Sequence, residues 1–201
     1  MIQVTNPHAQ YLKNKKTIDL LVKKVFQNKI YINGEQTKKL EKNFAKYIGT
    51  KDAIAVANGT DAIEIALRSL DIKEGDEIIT TTHTAVATIS AIKSSGGKPV
   101  LADISEETYN IDTTHLKKLL TKKTKAIVAV HIYGNSCNLE DIKWFCKKNN
   151  LYLIEDVSQA HGAKYKNKKL GSYGIISCFS CYPTKNLAAM GDAGLIATSS
   201  I

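Results

Sequence analysis

Lys185, in "CYPTKNLAAMGDAG" (residues 181–194), follows a β-like run and precedes a cluster of small residues. Among 28 Lys+Arg only Arg68 is an arginine, so lysine is common here and one more solvated cation is the plain reading. The other reading is an amine kept for covalent chemistry. A lysine that attacks an aldehyde needs a partly desolvated place in which to lose its proton. The strand-like "IISCFSC" behind Lys185, with Ala188, Ala189, Gly191 and Gly194 beside it, is expected to supply that place, and Ser180 and Tyr182 fall within the same six residues.

Two other segments carry residues of matching chemistry. "LYLIEDVSQAHG" ends an apolar strand with Glu155 and Asp156, and strand alternation turns one of them away from the other, so a single carboxylate faces any ligand crevice. That acid can hold a metal, act as a base, keep a ring nitrogen protonated, or simply cap the next helix. Metal is the weaker option, because no partner acids or histidines stand nearby at ligand spacing. "VANGTDAIEIAL" places Gly59 and Thr60 where a strand hands over to a helix, a position whose free N–H groups and helix dipole favour an anion. An ordinary turn capped by Thr60 or Asp61 is the alternative. Taken together, the anion cup, the strand-end acid and the later strand-end lysine occur in the order required to hold pyridoxal phosphate. Neither the G-x-x-x-x-G-K-[ST] loop nor G-x-G-x-x-G is present, which argues against nucleotide hydrolysis and simple dinucleotide binding.

The elements that must position these residues follow from periodicity. "TIDLLVKKVFQNK" and "QTKKLEKNFAKYIG" have helical apolar spacing and form an N-terminal helical extension over residues 1–50. From residue 52, short apolar runs alternate with helical patterns: "AIAVA", "DEIITT", "KPVLADI", "KAIVAVHI", "LYLIEDV", "IISCFSC" and "AGLIATS" read as strands. "GTDAIEIALRSL", "AVATISAIKSS", "TTHLKKLL" and "LEDIKWFCKKN" read as helices. This alternation predicts an α/β fold with a mainly parallel sheet flanked by helices. Ligands of such sheets gather beyond the carboxyl ends of the strands, where Asn58 to Thr60, His83, Thr84, His131, Tyr133, Asp156, Gln159, Ser180, Tyr182 and Lys185 all fall.

This series of motifs resembles the DegT-type nucleotide-sugar aminotransferases of the fold-type I pyridoxal phosphate enzymes. "ANGTDAIEIAL", "GDEIIT", "KAIVAVHIYG", "IEDVSQAHGA", "CFSCYPTKNL" and "GDAG" stand in that family's order along nearly the whole chain. The resemblance implies that Lys185 carries the cofactor and then shuttles a proton. It also implies that Asp156 pairs with the pyridine nitrogen, that Gln159 lies near the cofactor hydroxyl, and that Gly59, Thr60 and Ser180 bind its phosphate. Some relatives have histidine in place of this lysine and deoxygenate sugars, so Lys185 favours amino transfer. Tyr182, "GDAG" and "HTAVAT" look more like enzymes acting on dTDP-linked 3-keto-6-deoxyhexoses, with L-glutamate as donor, than like the C4-aminating group. The aromatic residue that stacks on the cofactor ring in that C4 group aligns with Ala85, and His83 is a candidate substitute. His131 and His161 are read as structural.

Relatives of this family are much longer. Residues 51–201 are therefore expected to form a cofactor-binding large domain that is incomplete, without the C-terminal domain, in an enzyme that pairs as a homodimer at full length. A noncatalytic remnant that has kept the motifs is the rival reading. The net charge of +9 and pI near 9.3 permit nucleic-acid binding, but the lysines are interleaved with acids, and a small anionic substrate gains from the same field. No nucleic-acid or membrane partner is expected, and a cytoplasmic place is expected: no stretch approaches the roughly 20 apolar residues that span a bilayer, and Met1 to Tyr11 lacks a signal peptide's apolar core. Cys178 and Cys181 make a C-x-x-C, but inside "IISCFSCY" they read as buried strand residues, not metal ligands.

Overall fold

A computed structural model describes residues 5–200. Seven strands form one sheet: β1 (Asp52–Val56), β2 (Glu77–Thr81), β3 (Lys98–Ala102), β4 (Thr124–Val130), β5 (Tyr152–Asp156), β8 (Ile176–Ser180) and β9 (Gly194–Thr198). A short separate hairpin, β6 (Lys164–Tyr165) with β7 (Lys168–Lys169), lies between β5 and β8 in the chain. Its two-residue strands are too short for any periodicity to show. The sheet order is β1-β9-β8-β5-β4-β2-β3. Pairings from β3 across to β8 are parallel, whereas β9 runs antiparallel to both β8 and β1. The mainly parallel sheet expected from the β-α alternation is thus present, with β9 as its reversed strand.

Helices α3 (Gly59–Ser69), α4 (Val86–Ser94), α5 (Leu116–Leu119, after a 3₁₀ turn) and α6 (Leu139–Asn149) cover the two faces. Strand β4 shows why the sequence folds this way. Six of its seven residues are buried, so it needs apolar cover on both faces. Ala126, Val128 and Val130 meet Ala62, Ile63 and Ile92 of α3 and α4 in one core, while Ile127 and Ala129 join Leu139, Ile142 and Phe145 of α6 in the other. The same alternation separates Cys178 and Cys181, one to each core. Burial holds the Cys178 thiol far above its ordinary pKa, and the strand keeps the two sulfurs on opposite faces.

The stretch expected as an extension is not uniform. Helix α2 (Glu35–Ile48) buries Phe44, Ala45 and Ile48 in the core, and the Phe44 ring meets Phe179 edge-on with centroids 4.8 Å apart. Helix α1 (Pro7–Gln27) buries no residue. It also begins at Pro7, well before the apolar spacing that starts at Thr17. Asn6 caps it by accepting the Ala9 N–H at 3.0 Å, and Pro7 supplies a helix-ready φ at the first position. Those signals are local, and apolar periodicity does not register them.

Candidate active site

The carboxyl ends of β5 and β8 and the start of α3 enclose a cavity of about 530 Å³. All six residues expected to act on a cofactor, Gly59, Thr60, Asp156, Gln159, Ser180 and Lys185, line it. They come from three separate stretches of chain, and the sheet order explains their meeting: β8 lies directly beside β5, and α3 packs across β8 and β9.

Helix α3 opens the site on one side. Asn58 caps it, its side-chain oxygen accepting the Asp61 N–H at 2.8 Å, so the first N–H groups of the helix face the cavity mouth. Gly59 is buried against β8, and a Cβ placed on it would stand 2.6 Å from the Cβ of Ser180. Only glycine lets the helix start approach the Ser180 hydroxyl so closely. The result is a cup of backbone N–H groups and one hydroxyl at the positive end of a helix dipole, a setting that suits a phosphate.

Strand β5 supplies the acid, and its two adjacent carboxylates go to opposite faces. Asp156 is buried on the cavity side. Its Oδ2 accepts the Thr88 hydroxyl at 3.0 Å and its Oδ1 the Ser158 N–H at 3.1 Å. Thr88 in turn lies 2.8 Å from the Thr84 hydroxyl, which fixes the carboxylate from α4. Glu155 points into the opposite core and is fully occupied. It accepts the N–H groups of Gly171, Tyr173 and Gly174 at 2.8, 2.7 and 2.6 Å, and His131 Nε2 lies 3.1 Å away. Burial by itself raises the Glu155 carboxyl, but the bonds from His131, Gly174 and Gly171 outweigh it and hold the pKa below the usual glutamate range. The Cys137 N–H donates to His131 Nδ1 at 3.1 Å, so the ring carries its single proton on Nε2, toward Glu155. His131 is therefore a buried structural residue, as its place in the sequence suggested.

Lys185 is half-buried on a tight turn after β8, with its N–H bonded to the Tyr182 carbonyl at 2.8 Å. The enclosure expected from Ala188, Ala189, Gly191 and Gly194 is not what surrounds it. None of these lines the cavity; Tyr182, Thr184 and Asp192 do. The small residues serve the turn that brings β9 back along β8, with Ala189 N–H bonded to the Cys181 carbonyl at 2.8 Å. His161 lies behind the site and packs on Phe179, ring centroids 5.7 Å apart. Burial, and then the nearby Lys185 ammonium, push its pKa down to about 4, so its ring is neutral at ordinary pH. His83 does not line the cavity, and the wall beside it carries Ala85. Its Nε2 instead meets the Tyr133 hydroxyl at 2.9 Å.

Sequence reasoning overlooked Thr88, and it placed Tyr133 beyond a strand end without foreseeing its contact with Gln159. Thr88 lies inside a helix with no motif around it, and only the approach of α4 to the end of β5 brings it to Asp156. The backbone N–H of Tyr133 donates to Gln159 Oε1 at 3.0 Å. A backbone contact of that kind leaves no mark on residue type.

Residues 13–200 match the DegT/DnrJ/EryC1/StrS aminotransferase family. The chain belongs to this family. It is 43% identical over 190 residues to the pleiotropic regulatory protein of Geobacillus stearothermophilus, covering 94% of this chain and 51% of that one. It is 44% identical over 188 residues to the dTDP-3-amino-3,6-dideoxy-α-D-galactopyranose transaminase of Aneurinibacillus thermoaerophilus, covering 94% and 52%. With the UDP-2-acetamido-2-deoxy-3-oxo-D-glucuronate aminotransferase of Pseudomonas aeruginosa it shares 37% over 199 residues, covering 99% and 55%. Among solved structures, DesV of S. venezuelae in complex with a ketimine intermediate superposes with a TM-score of 0.96 at 32% identity, over 99% of this chain and 54% of that one. The PLP form of the putative sugar aminotransferase Spr1654 from Streptococcus pneumoniae gives 0.84 at 27% identity, over 90% and 50%. The chain spans about half the length of the curated relatives it matches.

Proposed function

We propose that this family member carries the cofactor-binding half of a pyridoxal phosphate-dependent sugar aminotransferase. The observation that carries the reading is one cavity in which Lys185, Asp156 and the Gly59–Ser180 cup stand together. The cup fits a phosphate because Gly59 leaves open the space that any Cβ would fill. The pyridoxal phosphate forms of solved relatives support the choice of cofactor.

When bound, pyridoxal phosphate supplies an aldehyde that captures an amine and a ring that accepts the electron pair of a broken C–H bond. The residues of this chain do the rest. Gly59 and Thr60 N–H groups and the Ser180 hydroxyl anchor the phosphate. Asp156, oriented by Thr88 and the Ser158 N–H, holds a proton on the ring nitrogen. Gln159 has its carbonyl oxygen taken by Tyr133, so its amide NH₂ is left to donate to the cofactor's phenolic oxygen. Lys185 holds the cofactor at rest. With its amine freed, the Lys185 Nζ would be the base that takes a proton from the donor carbon and the acid that gives one back, and it would play the same two parts in reverse toward a keto sugar.

For substrate we propose a nucleotide-linked 3-keto sugar, a dTDP-3-keto-6-deoxyhexose, with L-glutamate as donor. Tyr182 and the "GDAG" segment favour C3 over C4, and the two named relatives that act at C3 support the position. Their carriers are dTDP and UDP respectively, so the sugar position is better supported than the carrier. Homodimer pairing belongs to the same proposal.

The test is to purify the chain with pyridoxal phosphate, reduce it with borohydride and locate the pyridoxyl mass by peptide mapping. The expected result is one modified peptide containing Lys185, absent in Lys185→Ala. A folded chain that gives no adduct would falsify the reading for this chain and favour a noncatalytic remnant. Chain that labels is then assayed with 3-keto and 4-keto sugar nucleotides; preference for the 4-keto sugar overturns the substrate assignment alone.

A further inference from the structure

Tyr109 and Tyr133 both adopt left-handed backbone angles, φ 59° and 55°. A side chain makes that region costly, and glycine or asparagine takes it with less crowding. Burial does not compensate here, because Tyr109 is 52% exposed and Tyr133 69%. Turns alone do not call for these two side chains, and packing gains little from them. An exposed aromatic ring kept at a strained position points instead to something outside the chain that it touches.

The two rings are held in fixed relation. Asn110, only 2% exposed, donates from Nδ2 to the carbonyls of Asn135 and Ser136 at 3.4 and 3.2 Å and accepts the Ile132 N–H at 3.2 Å. This amide ties the loop after β3 to the loop after β4. Between the tyrosines stands His83, with ring centroids 6.2 Å from Tyr109 and 5.5 Å from Tyr133, bonded to the Tyr133 hydroxyl. Together they make a ledge of three rings beyond the ends of β2, β3 and β4. The Tyr133 N–H bond to Gln159 joins that ledge to the cavity wall. The phosphate cup lies on the other side of β5, at β8, so the ledge adjoins the cavity away from the cofactor phosphate.

We propose that this ledge is a subsite on which the base of the nucleotide-linked substrate stacks. The inference rests on the substrate being a sugar nucleotide, as read above, but not on the chemistry of Lys185. His83 is tilted 50° from Tyr109 and 60° from Tyr133, so a base stacks on one ring and is flanked by the edges of the others; rings with hydroxyls and an imidazole, and no lysine or arginine among them, suit an uncharged base better than a diphosphate. Stacking tolerates different bases, so the subsite takes pyrimidine and purine nucleotides alike, and discrimination between sugars falls to the cavity.

The experiment measures dTDP binding calorimetrically to the chain purified with pyridoxal phosphate, with inorganic pyrophosphate as a second probe. Tyr133→Gly and Tyr109→Gly are each expected to weaken dTDP by about tenfold or more, whereas Tyr133→Phe keeps it within about threefold. Pyrophosphate binding is expected to be the same in all variants. Because glycine relieves the left-handed strain, both glycine variants are expected to melt at or above the wild-type temperature, which separates loss of binding from loss of fold. Glycine variants that bind dTDP like wild type overturn the subsite, as does a wild-type chain labelled at Lys185 that does not bind dTDP. Tyrosine-dependent dTDP binding in a chain that takes no label leaves the subsite standing and defeats the aminotransferase reading instead.

Discussion

Glu155 and Asp156 are chemically alike and adjacent in one strand, yet the fold uses them oppositely. Glu155 looks into the α6-side core, where three backbone N–H groups and His131 consume its oxygens. Asp156 looks toward α3 and α4, is fixed by Thr88 and Ser158, and borders an open cavity. A carboxylate whose acceptors are all filled from within the chain is a structural part. One that is oriented but still borders free space is available to a ligand. Position in a motif does not separate the two; the facing partners do.

The comparison is broken most severely if Asp156→Asn spares activity. If the proposed amino transfer holds, this change is expected to lower turnover by about 10²–10³, since it removes the charge proposed to keep the ring nitrogen protonated. Its melting temperature is expected to stay within about 4 °C of wild type, because asparagine keeps one acceptor for Thr88 or Ser158. An unchanged rate removes Asp156 from the chemistry.

Glu155→Gln is expected to behave the other way around. Its NH₂ would face N–H donors of the 171–174 turn, and the loss is about 3 kcal/mol of stability, read as a fall in denaturation midpoint. Lys185 labelling in the folded fraction is expected to persist. If the midpoint does not move, Glu155 does not hold the turn as described.

Acid sharpens the contrast further. Since the folded-state pKa of Glu155 lies below the ordinary 4.5, the unfolded chain binds the proton first as pH falls. The stabilisation is full above about pH 5 and declines as pH drops through the folded value. The stability gap between wild type and Glu155→Gln is therefore expected to narrow from pH 6 to pH 3, by denaturant titration at each pH; a constant gap contradicts the assignment. The smallest expected effect is Thr88→Val, which removes one hydrogen bond to Asp156 at a cost of about 1 kcal/mol. It is expected to weaken retention of pyridoxal phosphate severalfold on dialysis, and retention equal to wild type means that Thr88 does not orient the acid.

Most of the scaffold was legible because period-2 apolar runs and helical spacing are local properties. β5, β8 and α3 lie within a residue or two of where those patterns put them. That the candidate residues line one cavity was legible for a related reason, since a ligand crevice of a parallel sheet lies just past its strands and the polar residues there are few. What escaped was contact between segments distant in sequence: the placement of α2 within the core, Thr88 on Asp156, Tyr133 on Gln159. Ala188, Ala189, Gly191 and Gly194 follow Lys185 closely yet do not line the cavity, because nearness in sequence is not nearness in space.

The sequence by itself determined the element types, the α/β class, the strand-end place of Lys185 and the family motifs, because each depends on residue type and short spacing. Only the tertiary structure decided which of two neighbouring acids faces the cavity, that β9 returns antiparallel and that Gly59 must lack a Cβ. It also decided that two strained tyrosines share a ledge with His83. These depend on which elements pack together, and packing is settled by the whole core, with its two layers of side chains closing on opposite faces of one sheet.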